Sequence, residues 1–239
     1  MMIADRDPVG QADAGQLVRL LQFGDSMLPV GTFAFSGGLE SAIQKGVVTD
    51  AGTLLAFART AVEQAARGDG IAVIFAHRAA STGNLAELIR IDEIVYARKL
   101  SAETRAMSVR IGKKFTELGV EVTAVPLLRD WRERIESGAT PGCYPVGLAA
   151  NFAAQGLPAR AAFAVHQHGV AAMILGAALR LMKVSHVDTQ RMLYCLNAEV
   201  AAAYEAAAMA ELTDMAGFAP LTEILAAVHV KAHVRLFMN

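Results

Sequence analysis

The order of apolar and polar positions is helical over nearly the whole chain. In DAGTLLAFARTAVEQAARG, Leu54, Leu55, Ala58, Val62 and Ala65 recur at three- and four-residue spacing, which places them on one face of an α-helix. Asp50 stands where it can cap the start of this helix and Gly68 where it can end it. The same spacing predicts helices near 34–45, 69–81, 85–97, 101–118, 127–137, 145–155, 159–183, 188–210 and 220–230. Only VEVTAV, residues 120–125, shows the β-branched alternation of a strand, and a single short strand without a partner reads as a connector. Ser108 and Gly112, one turn apart, offer a place where two helices can approach closely. The expected fold is all-α, a single-domain bundle of about ten helices. A flexible leader is expected over residues 1–15, the helical domain over 16–228 and a C-terminal tail over 229–239.

Composition narrows the classes. The chain has 239 residues, 54% hydrophobic and 19% charged, enough to bury a sizeable core and too apolar for disorder. A formal net charge of −1 with near-equal acidic and basic counts gives no global field toward nucleic acid or an anionic membrane, so neither is an expected partner. Cys143 and Cys195, with no C-x-x-C, suit a reducing compartment. The start, MMIADRDPVGQADAG, lacks the basic and apolar regions of a signal peptide, and a cytoplasmic location is expected. Mean hydropathy is positive, +0.36, and the uncharged run Ala161–Leu179 just reaches the length of a membrane span. His166, Gln167 and His168 inside it, and its many alanines, favour a buried central helix.

Candidate chemistry centres on SMLPVGTFAFSGGLE, residues 26–40. A glycine-rich loop before a helix can cradle phosphate, but no G-x-x-x-x-G-K-[ST] occurs in the chain. Pro29 fixes a turn, Gly31 releases it, and Ser36 can supply a side-chain oxygen near the start of the helix carrying Leu39, Glu40 and Ile43. Phe33 and Phe35 bracket the turn and must either pack inside or face a partner. His229 and His233 lie four apart, a metal-binding spacing on a helix, but no third ligand accompanies them, so no metal site and no cofactor is expected. No serine or cysteine lies in a recognisable nucleophile constellation. Arg180, Arg191 and Arg235 are candidates for an arginine acting in trans on a nucleotide held by another protein. The residues alone lead to an all-α binding or scaffold protein, not an enzyme.

Longer motifs add a resemblance. Leu28, Pro29, Val30, Gly31, Phe33, Phe35, Ser36, Gly38, Leu39 and Glu40 fill, in register, the pattern L-P-[VI]-G-x-F-x-[YF]-S-x-G-L-E. Glu103, Arg105, Ser108 and Gly112 match E-x-R-x-x-S-x-x-x-G. Ala177, Ala178, Arg180 and Leu181 match A-A-x-R-L, and Asp188, Gln190 and Arg191 come next as D-x-Q-R. Phe218, Pro220, His229, Arg235, Leu236 and Phe237 match the closing segment. From about residue 17 onward the chain resembles the UreF family of urease accessory proteins. Gly37, Lys183 and Cys143 depart from residues common in that family.

The resemblance implies a non-enzymatic all-α homodimer that joins a UreD/UreH-type accessory protein and a nickel-carrying UreG-type GTPase in delivering nickel to apo-urease. It implies partner-binding roles for Phe33, Phe35, Ser36, Glu40, Arg180, Asp188, Arg191, His229, Arg235, Leu236 and Phe237. The turn is expected to present aromatic and acidic groups outward, and the tail to be poorly anchored until a UreD-type partner orders it. Two alternatives stay open: a GTPase-activating role through an arginine in trans, and a nickel carrier using His229 and His233.

Overall fold

A computed structural model describes residues 14–25, 27–217, 224–225 and 236–238. Among them are eleven α-helices and no strand. In chain order they are α1 (Ala14–Gly24), α2 (Leu39–Gln44), α3 (Ala51–Ala65), α4 (Ile71–Ser81), α5 (Leu85–Arg98), α6 (Ala102–Thr123), α7 (Pro126–Glu136), α8 (Tyr144–Ala154), α9 (Ala159–Leu181), α10 (His186–Asn197) and α11 (Val200–Met209). The expected all-α fold is thus the observed one.

The core has two parts joined by α9. One part gathers Ile74, Leu88, Phe115, Trp131, Phe152 and Phe163 between α4, α5, α6, α7, α8 and the first half of α9. The other gathers Leu39, Leu54, Ala58, Ile174, Ala178 and Leu196 between α2, α3, α10 and the second half of α9, with Leu225 and Phe237 added to it. A helix serving two cores on different sides needs apolar residues around most of its circumference, which explains its membrane-like composition. It is long and apolar enough to cross a bilayer, but 56% of its most apolar window is buried in the bundle, as in a core helix.

Local chemistry explains several boundaries. Asp50 caps α3 as expected: its carboxylate accepts the Thr53 N–H at 2.8 Å, and Thr53 Oγ1 accepts the Asp50 N–H at 3.0 Å. Gly68, by contrast, does not stop the helix. A π-turn over Ala66–Gly70 carries α3 into α4, with Gly70 under the Phe163 ring, where an added Cβ would lie 2.6 Å from the ring edge. The supposed connector at 120–125 is largely the last turn of α6, which ends at Ala124 in the left-handed region with φ 54°. Val120 packs inside, and Thr123 Oγ1 donates to the Gly119 carbonyl at 2.7 Å, so tertiary packing overrides β-branched propensity.

The expected helix at 188–210 divides into α10 and α11, separated at Ala198 and Glu199. The one expected at 34–45 shrinks to α2, because Gly37 and Gly38 hold φ of 61° and 84° immediately before it. The helix expected near 220–230 lies, apart from residues 224 and 225, outside the described residues.

Ser108 and Gly112 do mark a close approach. Ser108 Oγ accepts the Tyr144 N–H at 3.3 Å, and a Cβ on Gly112 would lie 2.6 Å from the Cys143 carbonyl carbon. The loop entering α8 is held from its other side by Asp92, which is wholly buried. Its carboxylate accepts Thr140 Oγ1 at 2.6 Å and the N–H groups of Gly142 and Cys143 at 2.6 and 2.7 Å. Burial pushes that carboxyl above the usual range, against the pull of these donors.

Candidate functional site: a clamp between the first turn and the chain end

Residues 27–40 form a tight, inwardly braced turn. Leu28 N–H donates to the Asp25 carbonyl at 3.0 Å, a single 3-10 turn covers Thr32–Ala34, and the Phe35 N–H closes it onto the Thr32 carbonyl at 3.1 Å. The two aromatics separate to opposite sides of this turn: Phe33 is 75% exposed and Phe35 only 4%. Ser36 is buried, and its Oγ accepts the Glu40 N–H at 3.4 Å, the helix-start role its position suggested.

Glu40, in the first turn of α2, is also buried. Its Oε1 accepts the Leu236 N–H at 2.8 Å and its Oε2 the Phe237 N–H at 3.0 Å. The Met238 N–H donates to the Ala34 carbonyl at 2.9 Å. One carboxylate thus satisfies two backbone donors from a segment nearly two hundred positions away, and the helix dipole of α2 favours its charge.

Arg180, at the end of α9, completes the clamp. Its guanidinium lies 4.0 Å from the Phe237 ring centroid, and its Nη2 donates to the Phe33 carbonyl at 2.7 Å. Phe237 is 4% exposed, while Leu236 and Met238 remain 59% and 49% exposed. Phe33, Leu236 and Met238 are therefore the outward apolar side chains of a small patch whose backbone is fixed from beneath.

Phe33, Phe35, Ser36, Glu40, Arg180, Leu236 and Phe237 are brought together here. The expectation that Phe35 and Glu40 point outward is corrected: both are buried, because Phe35 fills the core and the carboxylate needs the donors of residues 236 and 237. Residues 236–238 are anchored within the chain itself, which differs from the loose tail expected. His229, His233 and Arg235 lie outside the described residues. Asp188 and Arg191 sit apart, on α10. Asp188 forms a capping box with Ser185, whose hydrogen bonds hold its carboxyl below the usual range, while Arg191 lies 3.8 Å away with its side chain 77% exposed.

Two polar groups have no counterpart in the sequence expectations. Asp92 is one, and its place beside Ile91 on the buried stripe of α5 was a usable signal. The other is Asp69 on the π-turn, paired with Lys99 at 2.7 Å and 3.9 Å from His166 Nε2. No sequence period places Asp69, Lys99 and His166 together. Burial pushes His166 down to about 4, with Lys99 adding to the fall and Asp69 opposing it.

Among the described residues no three His, Cys, Asp or Glu side chains converge on a point that could hold a metal ion. Fold and site together define a helical protein whose organised surface is a clamp joining distant parts of one chain. The UreF family model matches residues 48–197. Over 223 residues the chain is 54% identical to urease accessory protein UreF 2 of Brucella canis, covering 93% of this chain and 92% of that protein. It is 48% identical over 227 residues to urease accessory protein UreF of Yersinia pestis, covering 95% of this chain and all of the relative. The chain belongs to the UreF family of urease accessory proteins.

Proposed function

We propose that this chain is a non-catalytic scaffold and regulator, a cytoplasmic homodimer that links a UreD/UreH-type accessory protein to a nickel-carrying UreG-type GTPase for nickel delivery to apo-urease. The observation that carries the reading is the clamp, in which Glu40 and Arg180 hold Leu236, Phe237 and Met238 against the signature turn. A docking patch needs exposed apolar groups on a backbone that does not have to be ordered at binding, and Phe33, Leu236 and Met238 meet that need.

Size-exclusion chromatography with light scattering, on the chain alone and mixed with both partner types from the same host, tests the reading. A defined complex is expected, and its loss is expected when residues 229–239 are deleted. Separate elution from two folded partners would reject it.

A GTPase-activating role is the second reading, favoured by Arg191, whose side chain is 77% exposed and 3.8 Å from its nearest carboxylate. It predicts faster GTP turnover on adding this chain and loss of the gain in Arg191→Ala. The nickel-carrier reading rests on His229 and His233. Equilibrium dialysis of the isolated chain with Ni²⁺ tests it, and no uptake is expected under the scaffold reading.

A further inference from the structure

The two apolar parts of the core meet through few elements. Among the described residues, α2 packs on α9, α3 and α10 pack on α9 and on each other, and none of the three packs substantially on α4–α8. Phe23 of α1 and Ala207 of α11 belong with the part built on α4–α8. The molecule thus divides into a larger and a smaller body that share α9.

Four passages of the chain between these bodies lie wholly within the described residues, and a joint stands at each. From Phe35 to Leu39 the chain runs through Gly37 and Gly38, both at positive φ. From Val62 to Ala66 it enters the π-turn that carries α3 into α4. From Val165 to Ala171, α9 contains Gly169, where an added Cβ would meet no described residue within 4 Å. From Leu196 to Ala207 the chain breaks at Ala198 and Glu199, between α10 and α11. Glycines, π-turns and helix ends are the places where a backbone bends most readily. Their coincidence with every described passage between two close-packed bodies is the pattern a hinge requires.

The seam itself is polar. His166 and Gln167, buried on α9 just before Gly169, follow the last apolar residue of the larger body there, Val165. His166 Nε2 lies 3.9 Å from Asp69 on the π-turn, and Gln167 Nε2 lies 3.3 Å from His166 Nδ1. Interlocked apolar side chains resist displacement, and here their continuity is interrupted. Among the described partly buried apolar side chains, Met173 is the one packed against both bodies, and an unbranched thioether chain adapts to a shifted neighbour.

We propose that the seam is a hinge: the smaller body, α2, α3 and α10 with the second half of α9, rocks against the larger one about the π-turn and Gly169. Glu40 lies on α2 and Phe237 in the smaller core, so the clamp patch travels with this body relative to α4–α8. The inference concerns the chain alone and stands apart from the scaffold reading.

The test is pulsed electron–electron double resonance on the full chain carrying Cys195→Ser, with buried Cys143 left in place. Nitroxide labels are attached to introduced cysteines, and labelled chains are diluted into unlabelled ones so that distances within one chain are read. Ala56→Cys on α3 with Glu133→Cys on α7 spans the seam, and Glu93→Cys on α5 with Glu133→Cys lies within the larger body; all three positions are exposed. The seam pair is expected to give a distance distribution at least twice as wide as the pair within one body. In Gly68→Ala/Gly169→Ala the added methyl groups meet no described residue within 4 Å, so the variant is expected to fold normally. It is expected to narrow the seam distribution toward the width of the other pair, which itself stays unchanged. Equal widths for the two pairs in the parent chain would overturn the hinge. So would a seam distribution that stays broad in the glycine variant, since the joint would then lie elsewhere.

Discussion

A carboxylate that is 3% exposed must be met by donors, and for Glu40 these include the backbone N–H groups of Leu236 and Phe237. Removing it leaves two donors unsatisfied, a loss on the order of 1–3 kcal/mol in such a setting. Glu40→Ala is therefore expected to raise hydrogen exchange at the amides of residues 236–238 and lower the melting temperature by several degrees, with Glu40→Gln intermediate. Unchanged exchange at those amides would show that the clamp does not depend on the carboxylate. Arg180→Lys keeps the charge but loses the planar contact with Phe237, so its exchange is expected to move in the same direction. At this scale the sequence was half legible. The motif marked Glu40, Phe33, Phe35 and Arg180 as special, but not which of them face inward, because that depends on residues far along the chain.

At the scale of elements, helix existence was legible from apolar spacing and the joints were not. Asp50 announced the start of α3 through its own side chain. Whether Gly68 ends a helix depends on the tertiary surroundings of the next two residues. There Asp69 finds Lys99 while Gly70 passes beneath Phe163, so the helix continues through a π-turn. Two glycine substitutions separate the local from the tertiary contribution. Gly68→Ala, with nothing among the described residues within 4 Å of the new methyl, is expected to stabilise by about 0.5–1 kcal/mol. Gly112→Ala would drive a Cβ into the backbone at Cys143 and is expected to destabilise by about 3 kcal/mol or more, as urea denaturation would measure. The second outcome was foreshadowed by the Ser108/Gly112 pair. The first was hidden, since Gly68 looked like a terminator.

At the scale of the molecule, buried His166 and half-buried His77 contribute to the pH response. His166 titrates near 4 in the folded chain and near 6.5 when unfolded, so acid protonates the unfolded chain first. Its contribution to stability is complete above about pH 6.5 and is lost as pH falls toward 4. His77 acts in the same direction, its burial outweighing the hydrogen bond to the Leu157 carbonyl. Denaturant midpoints measured from pH 7 to 5 are expected to show a fall of about 2 kcal/mol from His166, with a flatter profile in His166→Gln. The all-α class was legible from composition and period alone, whereas the two-part core joined by α9 was not, because a helix apolar around most of its circumference carries no directional pattern. The clamp, finally, bears on how the protein is made. Glu40 leaves the ribosome long before the donors at the chain end, which emerge 196 and 197 residues later. Loop closure of that span comes late in folding. A patch built on the clamp therefore exists only on chains whose translation has passed residue 238, so nascent or truncated copies cannot present it to an assembly.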